Sequence, residues 1–171
     1  RRQLEYLQGP HDVLNAQRVQ AAARGHVLHG VLFAPVPVPS LLEETLASLI
    51  GQTYPHWQLH IILDADEELK GFDSVDQRVT VERVRVARRQ WEGHMFLISQ
   101  GDRLAPEALF MLEAALQQGY DAVYADEDSL DALGERVRPV FKTGYSSLTL
   151  CSYNAVGRPF LFPAALFHQV Q

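Results

Sequence analysis

The sequence predicts an α/β fold: a mainly parallel central sheet with helices on both faces. Three observations predict it. Met95 to Ile98 is a continuous apolar run, which suits a strand covered on both sides. Runs of this kind alternate with helix-period stretches in the order strand, helix, strand, loop, strand, strand, helix, strand, and such alternation means a mainly parallel sheet. Three of the strands end in carboxylates, at Asp64, at Asp102 and at Asp126/Asp128. In open α/β sheets the carboxyl edge is where ligands bind.

The elements follow in order. Residues 1–25 read as a leading segment. Val13, Leu14, Val19 and Ala22 give it a weak helical stripe between Pro10 and Gly25, with Gln17, Arg18 and Gln20 on its solvated side. Residues 26–171 then form the α/β domain. His26 to Ala34 is the first core strand, and Pro35, Pro37 and Pro39 end it because proline cannot donate to a sheet ladder. Ser40 with Glu43 makes a capping box. The helix Leu41 to Ile50 places Leu42, Leu46, Leu49 and Ile50 on one face, and Gly51 closes it. Gln58 to Leu63 is the second strand. Val79, Val81, Val84 and Val86 suggest a third with a slip in phase. Arg83, Arg85, Arg88 and Arg89 beside it fit a charged sheet edge, with a phosphate contact as the alternative.

The fourth strand stops at Gly101-Asp102. Gly101 permits positive φ. Pro106 and the run Leu109, Met111, Leu112, Ala115, Leu116 start the next helix. Asp102 either caps this turn or faces a ligand. Asp121 to Ala125 is a fifth strand running into Asp126-Glu127-Asp128, and Leu133-Gly134-Glu135 is a hairpin-like turn. Ala155 to Phe162 is weakly strand-like and broken by Pro159, and Pro163 opens a last helix.

Composition narrows the partners. The 171 residues carry a net charge of −6, so nothing argues for nucleic acid or an anionic membrane surface as a general partner. One cysteine, Cys151, excludes an internal disulfide and a multi-cysteine zinc site; it reads as a small buried residue. The histidines lack metal-ligand spacing, and His26 and His29 read as surface or turn residues. Trp57 and Trp91 read as packing against the sheet, with stacking on a base or sugar as the alternative. No apolar run approaches the roughly 20 residues that span a bilayer. The ends of the sequence suggest a piece of a longer protein, with the α/β domain incomplete at its C-terminal end. Convergent acids at one sheet edge suit a divalent cation with a phosphate substrate, because hard cations take oxygen ligands.

Three blocks carry a family resemblance. Pro39 to Leu59, with its Gln52-Thr53-Tyr54-Pro55 turn, resembles the opening of family 2 glycosyltransferases of the GT-A fold. Gly101-Asp102-Arg103-Leu104-Ala105-Pro106 looks like their acidic metal turn. Tyr124-Ala125-Asp126-Glu127-Asp128, with Phe141-Lys142 downstream, is similar to a subgroup that makes bacterial surface polysaccharides. The resemblance implies transfer of a sugar from a nucleotide diphosphate sugar to a glycan acceptor. It places Pro35 and Asp64 by the base and Asp102 on a Mn or Mg ion that holds the diphosphate. Asp126 and Asp128 fall near the donor sugar or acceptor. It also implies a cytoplasmic protein, reaching the inner face of the membrane through other parts of the chain. The pattern departs from the family at Ser99, Gln100 and Gly101, where further acids are usual, and at Pro37-Val38 and Asp64-Ala65-Asp66-Glu67. No residue matches the family's base. A catalytically inactive binding or scaffold module and an unrelated nucleotide-binding α/β domain are the other readings.

Overall fold

The computed structural model describes residues 11–23, 25–72, 74–83, 91–144 and 146–169. Its elements are α1 (His11–Ala22), β1 (Leu28–Ala34), α2 (Pro39–Ile50), β2 (Trp57–Leu63), β3 (Val79–Arg83), β4 (His94–Ile98), α3 (Ala108–Leu116), β5 (Val123–Tyr124), β6 (Glu127–Leu130), β7 (Arg136–Val140), α4 (Ser147–Ser152), β8 (Phe160–Pro163) and α5 (Ala164–Gln169).

Six strands form one sheet in the order β3-β2-β1-β4-β8-β5. The pairs β1·β2, β1·β4 and β2·β3 are parallel, while β8 runs antiparallel to both β4 and β5. The expected α/β fold with a mainly parallel sheet is therefore present. The parallel strands are apolar along most of their length because both faces are covered. On one face Leu28, Leu32, Leu59, Ile61, Phe96 and Ile98 pack under Leu42, Leu46 and Leu49 of α2 and Leu109 and Leu112 of α3, with Ala21 of α1 alongside. On the other, Val31, Ile62, Met95 and Phe162 meet Trp91, Ala164 and, from α5, Phe167. Gly30 has no Cβ because Phe96 of the adjacent strand lies across that position, with a ring atom 2.5 Å from where the Cβ would stand. Trp57 is buried with the Arg78 guanidinium 3.8 Å above its ring, and Trp91 is buried too, so both tryptophans pack as expected.

Several local expectations change. The capping box does not form: α2 begins at Pro39, and Val38 is its N-cap without a side-chain cap. Proline is well suited to the first helical position, which moves the start ahead of Ser40. Ile50 is exposed, and Thr45 shares the buried face instead. In α1 Val13 and Val19 are exposed and Ala21 is the buried residue, while Gln17 accepts a hydrogen bond from the Thr53 hydroxyl at 3.3 Å rather than lying free in solvent. Glu127 and Asp128 lie within a strand, since β6 pairs with β7 in a separate two-stranded sheet turning at Asp131 to Glu135. Pro163 ends β8 instead of opening α5. Cys151 is exposed, because α4 buries none of its residues. His29 is half-buried, stacked on His60 with ring centroids 5.6 Å apart. β3 is an edge strand as its charge suggested; Val84, Arg85, Val86, Arg88 and Arg89 lie outside the described residues. Among the described residues no helix is long and apolar enough to cross a membrane.

Candidate functional site

The register decides which chain ends meet. Ala34 is level with Leu63 and Leu32 with Ile98, so Pro35, Asp64 and the 99–102 turn share the carboxyl edge of the parallel strands. Asp64 and that turn are separated by two strand spacings, about 10 Å. β8 runs the other way, so its beginning, not its end, lies at this edge. Leu97 pairs with Phe160, and Phe160 with Tyr124. Arg158 is therefore level with Ser99 on one side and Asp126 on the other.

Each part of this rim is held by identifiable bonds. Gly101 takes φ +89. Asp102 donates its N–H to the Ser99 carbonyl at 3.0 Å, and its Oδ2 accepts the Ser99 N–H at 2.8 Å. So Asp102 does cap its turn. It also receives the Arg158 Nε–H on Oδ2 at 2.7 Å and the Nη2 on Oδ1 at 3.3 Å. That fork raises the Arg158 guanidinium above its already high ordinary pKa, with partial burial opposing it. Gln100 bridges to the β1–α2 loop: its Oε1 accepts the Val38 N–H at 2.9 Å, and its Nε2 donates to the Val36 carbonyl at 3.0 Å.

From below, the turn is fastened by three polar side chains, Thr45 and Ser48 of α2 and Gln52 just past its end. Thr45 Oγ1 accepts the Gly101 N–H at 2.9 Å. Ser48 Oγ accepts the Leu104 N–H at 3.1 Å. Gln52 Nε2 donates to the Ala105 carbonyl at 2.8 Å while its Oε1 accepts the Leu109 N–H at 2.9 Å. Thr53 adds a backbone bond to the Pro106 carbonyl at 2.7 Å. The Gln-Thr-Tyr-Pro turn thus anchors the acidic turn.

A second set of charges holds the loop before β8. Lys142 Nζ, on a side chain only 5% exposed, donates to Glu127 Oε2 at 3.1 Å and to the Val156 carbonyl at 2.6 Å. Glu127 Oε2 also accepts the Arg158 N–H at 3.3 Å. Gly157, at φ +61, passes so close that a Cβ would strike the Glu127 carboxylate and Lys142 Nζ. Asp126 Oδ1 accepts the Lys142 N–H at 2.7 Å.

Of the residues named from sequence, Asp102 and Asp126 thus join this bonded rim. Asp128 turns to Arg136 of the hairpin at 2.6 Å. Pro35 and Asp64 are exposed on the same edge, outside the bonded network described above. Arg158 was not expected. Its sequence signal was a lone cation ahead of a proline, and reading it needed the direction of β8. Glu107, at the start of α3, is 7% exposed with neither carboxylate oxygen hydrogen-bonded, and burial pushes its carboxyl above the usual range. A hollow of about 310 Å³ between α2 and Lys70, Gly71, Phe72 and Val75 lies apart from these acids.

The family resemblance implies a divalent cation on Asp102. Such an ion on a diphosphate needs only one or two carboxylates. Here the one acid of the turn has both oxygens on Arg158, and among the described residues no group of three His, Cys, Asp or Glu stands together for a metal. As arranged, the donor set does not fit a divalent ion.

No protein-family model matches the chain. It is 26% identical over 179 residues to a protein described as "Uncharacterized protein y4gI" from Sinorhizobium fredii, covering 91% of this chain and 19% of that one. Among solved structures it is similar to S. aureus TarS, a glycosyltransferase. TarS 1–349 in complex with UDP superposes with a TM-score of 0.63 at 14% identity, over 84% of this chain and 48% of that one. A second structure of TarS 1–349 gives a TM-score of 0.58 at 15% identity, over 84% of this chain and 49% of that one. The chain spans about a fifth of the y4gI protein and about half of TarS 1–349. At these identities the likeness is one of fold, and the fold is glycosyltransferase-like.

Proposed function

We propose that this chain is the nucleotide-binding portion of a glycosyltransferase of the family 2 type, which holds a nucleotide diphosphate sugar against its carboxyl edge for transfer to a glycan acceptor. The observation that carries the reading is the meeting of Pro35, Asp64, Asp102, Asp126 and Arg158 on one rim, where open α/β sheets hold ligands. The UDP complex of a protein of the same fold supports it. Pro35 and Asp64 border the base; Asp102 organises the diphosphate end; Asp126 lies towards the sugar. Asp128, committed to Arg136, serves the hairpin.

The test is calorimetric titration with UDP, CDP, GDP and ADP, with Mn²⁺ and with EDTA, on the chain and on Asp102→Ala. One nucleoside diphosphate is expected to bind, and Asp102→Ala to weaken it by roughly tenfold or more, since a charge-assisted contact is worth about 1.5–3 kcal/mol. Heat from none of them, at high protein concentration, refutes the reading. One observation favours a second reading, a binding or scaffold module without catalysis: Gln100 spends both ends of its amide on the β1–α2 loop, where the family pattern has an acid. Donor hydrolysis by a longer chain separates the two, since a scaffold releases no sugar.

A further inference from the structure

Arg158 sits where a metal ion would be expected. Its guanidinium has five N–H donors in a rigid fork. Two of them, on Nε and Nη2, go to Asp102. The side chain is half exposed, with a relative accessibility of 50%, so it remains reachable from solvent. Its backbone is fixed as well, since the Arg158 N–H is bonded to Glu127 and the neighbouring Val156 carbonyl to buried Lys142. This is a partly exposed cation held in place at the carboxyl edge of the sheet by its side-chain and backbone bonds. Guanidinium forks match phosphate oxygens geometrically and bind them in pairs.

We propose that Arg158, oriented by Asp102, is the diphosphate-binding cation of this chain and that nucleotide diphosphate binding here does not require a divalent metal. The inference rests on the nucleotide reading above and deepens it. Asp102 becomes a positioning residue: it aims the fork and offsets its desolvation, and it does not itself coordinate the ligand. Lys142 takes no part in the phosphate contact, because its ammonium is committed to Glu127 and Val156.

The experiment compares UDP, UMP and uridine by calorimetry, in EDTA and in Mn²⁺, for the chain, Arg158→Gln and Arg158→Lys, with circular dichroism and thermal melting to establish that each variant is folded. UDP is expected to bind in EDTA with an affinity that Mn²⁺ leaves within about twofold. Arg158→Gln should lose roughly tenfold or more towards UDP while uridine binding is unchanged. Arg158→Lys, which keeps the charge without the fork, should fall between. Binding of UDP that appears only with Mn²⁺ and is indifferent to Arg158→Gln overturns the inference and leaves the nucleotide reading standing. Binding of no nucleoside diphosphate under either condition overturns both. Should Arg158→Gln fail to fold, the EDTA and Mn²⁺ titrations of the unaltered chain decide.

Discussion

Glu107 is the residue with most to gain from losing its charge. Its carboxyl is buried without a hydrogen-bond partner and is pushed above its ordinary value of 4.5. A raised acid binds its proton more tightly in the folded state than in the unfolded one. Its contribution to stability is therefore fully present below about pH 4.5 and is lost as the pH rises through the folded value. Glu107→Gln removes the ionisation. Urea midpoints measured from pH 4 to 8 should show the variant flatter with pH and more stable at the upper end. A wild-type decline that persists unchanged in the variant would assign it to another group. Nothing in the sequence flagged Glu107, because an acid just ahead of a helix is ordinarily a solvated, dipole-stabilised one. Only the packing shows that this one is covered. Asp102 is the opposite case: its position after an apolar strand and a glycine was legible, but its partner was not.

At the scale of elements, α2 does more than cover the sheet. Thr45 and Ser48 of α2, with Gln52 just past its end, reach the backbone from Gly101 to Leu109 and tie the helix to the acidic turn. Gln52→Ala leaves the Leu109 N–H without its partner in a buried place, while the Ala105 carbonyl keeps the Ala108 N–H. Unfolding in urea should register a loss of about 1–3 kcal/mol, with nucleotide affinity falling further than a surface change in α2 would cause. The helix itself was readable from its leucines. Its polar inner residues were not, since periodicity marks Thr45 and Ser48 only as interruptions. Element boundaries moved for equally local reasons: Pro39 suits the first turn of α2, and Pro163 was free to finish β8 because it could precede α5 equally well. The turn of the β6–β7 hairpin was legible at Leu133-Gly134-Glu135, but the start of β6 was not, because residues 126–128 read as the polar tail of β5.

Across the whole molecule, β1, β2 and β4 were recoverable because each is a short apolar run, and β3 from its alternating Val79 and Val81. The β8 direction was not, since pattern within a strand carries no sign. Protection is uneven between the two sheets. β1 is bonded on both sides, by β2 and β4, and five of its seven positions are buried, whereas β7, paired with β6 in the separate two-stranded sheet, is almost wholly exposed. Amide exchange should follow that order, with β1 and β2 opening near the global unfolding free energy and β6–β7 well below it. Equal protection of the hairpin would show that other chain covers it.

The insertion of β8 between β4 and β5 couples ligand occupancy to the architecture itself. Arg158 and Asp102 are 56 residues apart in the chain, and they meet only when that late strand has docked. On the proposal above, a diphosphate gripping the guanidinium would also clasp this seam, and its free energy of association would add to the cohesion of the fold.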